Sequence, residues 1–415
     1  MQHNTKYTRA TIYAIFIWHG FFLALTKSML DLNTIFPALV NNLTDSNTLF
    51  GLLYAIMLGV PFIFNIFFGH FLHSRQHKKP YLLLGIYLRG IAFLGMAVFT
   101  YFFATDSPVM VLVSLFFWVF LFSFSGGFAG LSYADIIGKL VPRGKRGNLY
   151  ASKQFVSSLA VLLGGIAVAK IFSMDSMRFP NNYSLALVIG FGGLIIASGA
   201  FWFIREPAST TDPGTRDSFR DFLVKVPDII RRDPTFLRFI IVENLASFSL
   251  MILPFYLLFA KDIFGIQEAY VGKYLLYQII GAIASNIIWG YISHKRDSKT
   301  VVRSCILLGG LIPIFALAAQ PFGPDIFAVI FVLVGFVMSG RRVGFEPYLL
   351  DLAPEDQRTL YLGINGTLNF SKVLLPVIGG VLIDIVGFQI TFIVVTLSML
   401  TAYFLMGARP ERHSD

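Results

Sequence analysis

Arg341, Arg342 and Glu346 stand close together in an otherwise apolar stretch, VLVGFVMSGRRVGFEPYLL. Arg342 and Glu346 are spaced i, i+4 and share one face of a helix, and Arg341 lies about 100° round the same turn. A guanidinium in such a place can grip a carboxylate or phosphate with two parallel hydrogen bonds. An acid one turn away can release it by taking up a proton. Lys27 and Asp31 repeat the i, i+4 pattern, and Lys372 follows Asn365 and Asn369 in another apolar run. Glu243 has no basic residue one turn away on its own segment. A carboxyl group buried without a partner holds its proton more tightly, which suits a proton carrier. The expected roles are therefore solute binding for Arg341, Arg342, Lys372, Asn365 and Asn369, and ion coupling for Glu346, Glu243, Asp31 and Lys27. The plainer alternative for each pair is a neutralised contact between helices. His19, Arg89 and Lys273 read as an interhelical polar contact, a brace and an interfacial lysine.

Other chemistries lack their residues. Cys305 is the single cysteine, so there is no intramolecular disulfide and no thiolate metal cluster. No H-E-x-x-H, C-x-x-C, nucleophile elbow or phosphate-binding G-x-x-x-x-G-K-[ST] loop occurs. The expectation is no enzyme, no metal and no cofactor.

The elements that carry these residues follow from composition. Of 415 residues, 56% are hydrophobic and 13% charged, with 44 Phe. A soluble domain carries about 25% charged residues, so a soluble enzyme and a nucleic-acid-binding module are excluded. About 20 apolar residues cross the hydrocarbon core as a helix. Twelve such runs are found, near 10–40, 48–70, 81–104, 108–136, 149–172, 183–205, 236–260, 269–292, 301–320, 325–350, 360–386 and 388–407. Backbone groups in lipid must be satisfied within their own segment, which selects helices. With the N-terminus inside, 23 of the 33 Lys and Arg fall in inner segments and 3 (Lys170, Arg178, Lys261) outside; the other 7 lie within spans. Both termini are therefore expected in the cytoplasm, and the net charge of +10 is a matter of topology.

Residues 206–235 form the longest polar interruption, and they divide the chain into an N-terminal bundle (1–205), a linker and a C-terminal bundle (236–415). The halves share a pattern. Gly69, His73 and Arg75 follow span two, and Gly290, His294 and Arg296 follow span eight, both as G-x-x-x-H-x-R entering a basic loop. These six residues are the expected cytoplasmic gate. Pro142 and Arg146 after span four match Pro354 and Arg358 after span ten.

Twelve spans, two six-helix halves, a long central loop and a basic loop after span two resemble the major facilitator superfamily along the whole chain. Gly69, Lys78 and Lys79 match the family's loop signature, whereas His73 replaces its Asp and Gln76 its second Gly. Gly164-Gly165 matches the antiporter signature of span five without its Pro. The resemblance implies an all-α polytopic membrane protein of two pseudo-symmetric six-helix bundles, with spans one, four, seven and ten around a central cavity. It implies a monomeric secondary transporter in the cell inner membrane, whose partners are a small solute, a coupling ion and the bilayer. The basic groups at depth point to an anionic solute, with proton symport expected and sodium the alternative. Drug or lipid efflux, a flippase, or a non-transporting assembly factor built on the same fold are the other readings.

Overall fold

The computed structural model describes residues 9–73, 75–208, 227, 229–353 and 358–407. Among them there are only helices and turns. In chain order the α-helices are α1 (Arg9–Met29), α2 (Ile35–Asn41), α3 (Asn47–His73), α4 (Lys79–Phe103), α5 (Pro108–Leu140), α6 (Arg143–Phe172) and α7 (Asn181–Trp202). There follow α8 (Pro234–Ala246), α9 (Phe248–Ile252), α10 (Phe255–Phe264), α11 (Glu268–Lys295), α12 (Ser298–Ala318), α13 (Gly323–Leu352), α14 (Arg358–Leu368) and α15 (Leu375–Gly407).

Among the described residues, eleven helical stretches are long and apolar enough to cross a bilayer. The last of them, α15, holds two runs joined at Gly387, where φ is 81° and ψ 172°. Only glycine adopts that conformation without steric cost, so Gly387 is where the chain turns between spans eleven and twelve. The protein is thus an all-α polytopic membrane protein of twelve spans in two six-helix bundles.

Three spans are interrupted. The first breaks between α1 and α2, where Asp31 Oδ1 accepts from the Asn33 amide (2.9 Å) and the Thr34 hydroxyl (2.9 Å). A short carboxylate that caps its own downstream backbone competes with helix continuation. The seventh divides into α8, α9 and α10 around Ser247 and Pro254. The eleventh passes from α14 through a 3₁₀ turn at Phe370–Val373 into α15. Backbone freed at such breaks must find donors and acceptors inside the protein.

The chain forms two compact units. The first comprises Met1–Asp45, Leu53–Gly214 and Gln267–Leu276, and the second Ser46–Leu52, Thr215–Ile266 and Tyr277–Asp415. In the first, α4 packs on α5 and α7, and α1 on α6 and α7; in the second, α12 packs on α13 and α15. Helices approach closely where side chains are smallest. In the second unit Gly281 faces the Val332 backbone and Gly335 faces the backbone of Gln278 and Ala282, so any Cβ at either position would collide with main chain. Phe62, Phe117, Phe155 and Phe203 are more than half exposed. In water such a surface would aggregate; in lipid it is the surface the composition requires.

Carboxylates fasten the ends of each unit. Within the first, Glu206 accepts from the Lys78 amide (2.7 Å) and the Lys79 amide (2.7 Å), and pairs with Lys139 (2.5 Å). Asp135 pairs with Lys139 (2.9 Å) and Lys78 (3.2 Å). This clasp ties the exit of α7 to the start of α4 and the end of α5. Also in the first unit, Glu268 accepts from Asn42 (2.9 Å) and from the Tyr183 hydroxyl. Within the second, Asp384 accepts from the Asn47 side chain (2.8 Å), the Thr48 amide (2.9 Å) and the Thr48 hydroxyl (2.6 Å).

Candidate functional site

Two of the broken spans meet in the second unit. Glu243 lies one turn before the end of α8 and is buried, with 7% of its surface exposed. Its Oε1 meets Lys372 Nζ at 2.6 Å, and its Oε2 accepts from Asn369 Nδ2 at 3.1 Å. Lys372 sits in the 3₁₀ turn of span eleven. Asn369 also donates to Asn365 O and Oδ1, both at 2.8 Å. Ser247 returns its hydroxyl to the Glu243 carbonyl at 2.6 Å, a bond to residue i−4 of the kind that bends helices.

Arg341 completes the cluster from α13. Its Nη1 donates to the Ala246 carbonyl at 3.0 Å, and its guanidinium lies 4.5 Å from the Phe345 ring centroid. Ala246 ends α8, so the cation sits against the negative end of a helix. Arg341 is also within electrostatic reach of Glu243. One carboxylate, one ammonium and one guanidinium therefore gather around two amide side chains and a helix terminus. Protonating Glu243 would leave Lys372 without its counter-ion.

These positions revise several expectations. Glu243 does have a fixed cationic partner, supplied by another span rather than its own helix. Lys372 is held in an ion pair with Glu243. Asn365 and Asn369 join the same cluster. Arg342 and Glu346 share a face as their spacing predicts, yet both are exposed and form no ion pair among the described residues. Arg341, one residue away, makes the interior contacts given above. Lys27 lies near the end of α1, but α1 stops at Met29 and Asp31 caps the following turn.

Gly69 lies within α3, and the His73 side chain lies outside the described residues. Arg75 is exposed, its guanidinium 4.9 Å from the Phe71 ring. Gly290 has open space around it, and His294 and Arg296 are exposed. Next to them Asp297 caps α12, accepting from the Thr300 amide at 2.7 Å. Hydrogen bonds from Thr300 hold its carboxyl below the usual carboxylate range. The linker lies largely outside the described residues.

Glu206, Glu268 and Asp384 carry contacts that no spacing rule singles out, whereas Asp135 stands four residues before its partner Lys139 and is legible by the i, i+4 rule. Each is an acid at the margin of an apolar run, a weak signal because loop acids look the same. Lys153, inside a span, likewise has no partner at helical spacing to draw attention to it.

The chain matches the Major Facilitator Superfamily over residues 17–322 and 239–415. A Na(+), Li(+), K(+)/H(+) antiporter of Planococcus maritimus is 27% identical over 159 residues, a match covering 37% of this chain and 37% of that protein's length. The crystal structure of a mutant of the nucleoside transporter NupG is similar with a TM-score of 0.73 at 13% identity, covering 95% of this chain and 99% of that one. A D-xylose-proton symporter gives 0.70 at 14% identity, covering 98% and 99%. A bacterial homologue of the iron transporter ferroportin, in an inward-facing state, gives 0.70 at 14%, covering 96% and 98%.

Proposed function

Because the chain belongs to the Major Facilitator Superfamily, we propose that it is a proton-coupled secondary transporter of a small anionic organic solute, working by alternating access. Its place would be the inner membrane, with both termini in the cytoplasm as the distribution of Lys and Arg favours. The observation that carries the reading is the buried Glu243–Lys372 pair with Asn369 on the second carboxylate oxygen. Both oxygens face N–H donors, so a proton arriving on Glu243 competes with Lys372 for the carboxylate. Protonation frees an ammonium at membrane depth, where an unpaired charge is costly and an anion would relieve it. Departure of the anion lets the pair reform and the proton leave. The D-xylose-proton symporter is an instance of proton symport on this fold.

Cation–proton antiport is the second reading. It is favoured by the partial match to the cation antiporter and by Asn369 Oδ1, a buried carbonyl oxygen without a donor beside Glu243. Proteoliposomes carrying a pH-sensitive dye separate the two. Proton symport predicts lumenal acidification when an organic anion is added outside. Antiport predicts lumenal alkalinisation on adding sodium or potassium to vesicles loaded with acid. In the first case Glu243→Gln should abolish proton movement while retaining solute counterflow; proton movement unchanged in that variant would sink the assignment of Glu243.

A further inference from the structure

The first unit holds a cation of a different kind. Lys153 on α6 donates to the Tyr133 hydroxyl on α5 at 2.9 Å. Its ammonium lies 4.6 Å from the Tyr133 ring centroid and 5.8 Å from that of Tyr150. Lys372, Lys139 and Lys78 have carboxylates, and Arg341 has a helix terminus. Among the described residues no carboxylate lies within ion-pair distance of Lys153. Aromatic faces and one neutral hydroxyl recover only part of what an ammonium loses on leaving water.

Three neighbours bear on what would complete the site. His19 is 5% exposed, stands 5.4 Å from the Tyr133 ring, and its Nδ1 has no hydrogen-bond partner. Such buried polar atoms ordinarily find one. Lys153, Arg89 and Lys27 all lie within electrostatic reach of His19, so the local field is positive and favours an anion. Arg89 is itself stacked 4.2 Å from the Phe122 ring centroid, with Nε unpartnered. Gly20 makes room for the lysine: a Cβ there would meet Lys153 Cγ at 2.7 Å. Because Tyr133 accepts from Lys153, its own proton is left to donate. Lys153 is only partly buried and its neighbour Tyr150 is exposed.

We propose that Lys153 and Tyr133 form a binding point for the carboxylate or phosphate group of a small organic anion, one oxygen facing the ammonium and the tyrosine O–H. The site is distinct from the Glu243–Lys372 cluster and from the two arginines of span ten. It rests on the anionic solute of the reading above, but not on proton coupling.

The test uses the full chain in lipid nanodiscs, with thermal unfolding followed during titration with succinate, inorganic phosphate or glucose 6-phosphate. Glucose and choline serve as neutral and cationic controls. At least one anion should stabilise the wild type while the controls do not; response to succinate alone or to the phosphates alone identifies the group. Lys153→Gln should weaken that anion's binding about ten- to a hundredfold, as expected for a hydrogen bond to a charged group. Lys153→Arg should retain most of it, and Tyr133→Phe should weaken it by about two- to tenfold. Wild-type affinity in Lys153→Gln overturns the proposal, as does stabilisation by no anion beyond the controls. Should Lys153→Gln fail to give monodisperse protein, Tyr133→Phe decides: unchanged affinity there overturns the proposal. Transport in proteoliposomes keeps the two readings apart. Proton-linked anion transport surviving intact in Lys153→Gln sinks this site alone. Anion binding through Lys153 without any proton movement in the wild type sinks the coupling reading alone.

Discussion

Removing either member of the Glu243–Lys372 pair should cost more than removing both. The two groups are 2.6 Å apart, with side-chain exposures of 9% for Glu243 and 27% for Lys372. Breaking a fully buried pair from one side costs about 3–5 kcal/mol, because the remaining charge is left unpaired in a poor solvent. Lys372 keeps some contact with its surroundings, so solvent screening lowers the expectation to about 2–3 kcal/mol for Glu243→Gln. Glu243→Gln also alters the bond from Asn369, although an amide oxygen can still accept it. In the double variant Glu243→Gln, Lys372→Met no charge is stranded, and the loss should be smaller than the sum of the single losses by about 1–3 kcal/mol. At roughly 2 °C per kcal/mol, Glu243→Gln would lower the unfolding temperature by about 4–6 °C. The double variant would recover part of that loss. The assay is thermal unfolding of wild type, both single variants and the double variant in one detergent at one pH. Strict additivity, or a Glu243→Gln protein as stable as wild type, would refute the claim that the pair is energetically coupled. The coupling mechanism built on it would fall too.

Three further outcomes follow from particular contacts. Glu206→Ala leaves two amides at the start of α4 without their acceptor and takes from Lys139 one of its two carboxylates, Asp135 remaining, and should cost about 2 kcal/mol; a loss below about 1 kcal/mol in thermal unfolding would show that the clasp is dispensable. Arg342→Ala and Glu346→Gln should be additive in a double-mutant cycle, within about 0.5 kcal/mol, because their side chains form no pair; measurable coupling would restore the i, i+4 contact. Asp297→Ala should remove about 1 kcal/mol of helix capping. The folded-state carboxyl titrates below its unfolded value, so the cap stabilises above the ordinary carboxylate range and loses its effect as pH falls through the lowered one. The difference between wild type and Asp297→Ala should therefore shrink on acidification, and a pH-independent difference would show that the charge is not what stabilises.

Much of the architecture was legible in the residues alone. Apolar runs of span length can only be helices in lipid, and the basic loops give a single expected orientation. The ionisable residues worth attention were also visible, since each is a costly exception in an apolar run. What the residues could not disclose was pairing. Spacing along one helix paired Arg342 with Glu346 and left Glu243 alone; folding instead set Glu243 against Lys372, 129 positions away, and left Arg342 and Glu346 apart. It made Arg341 a donor to the end of α8, and set Lys153 against the rings of Tyr133 and Tyr150. The physical reason is that helix periodicity is local, a matter of a few residues. The partner of a buried charge is chosen by which helices pack together and where they break, and those breaks at Asp31, Ser247 and the 3₁₀ turn of span eleven are properties of the assembled bundle.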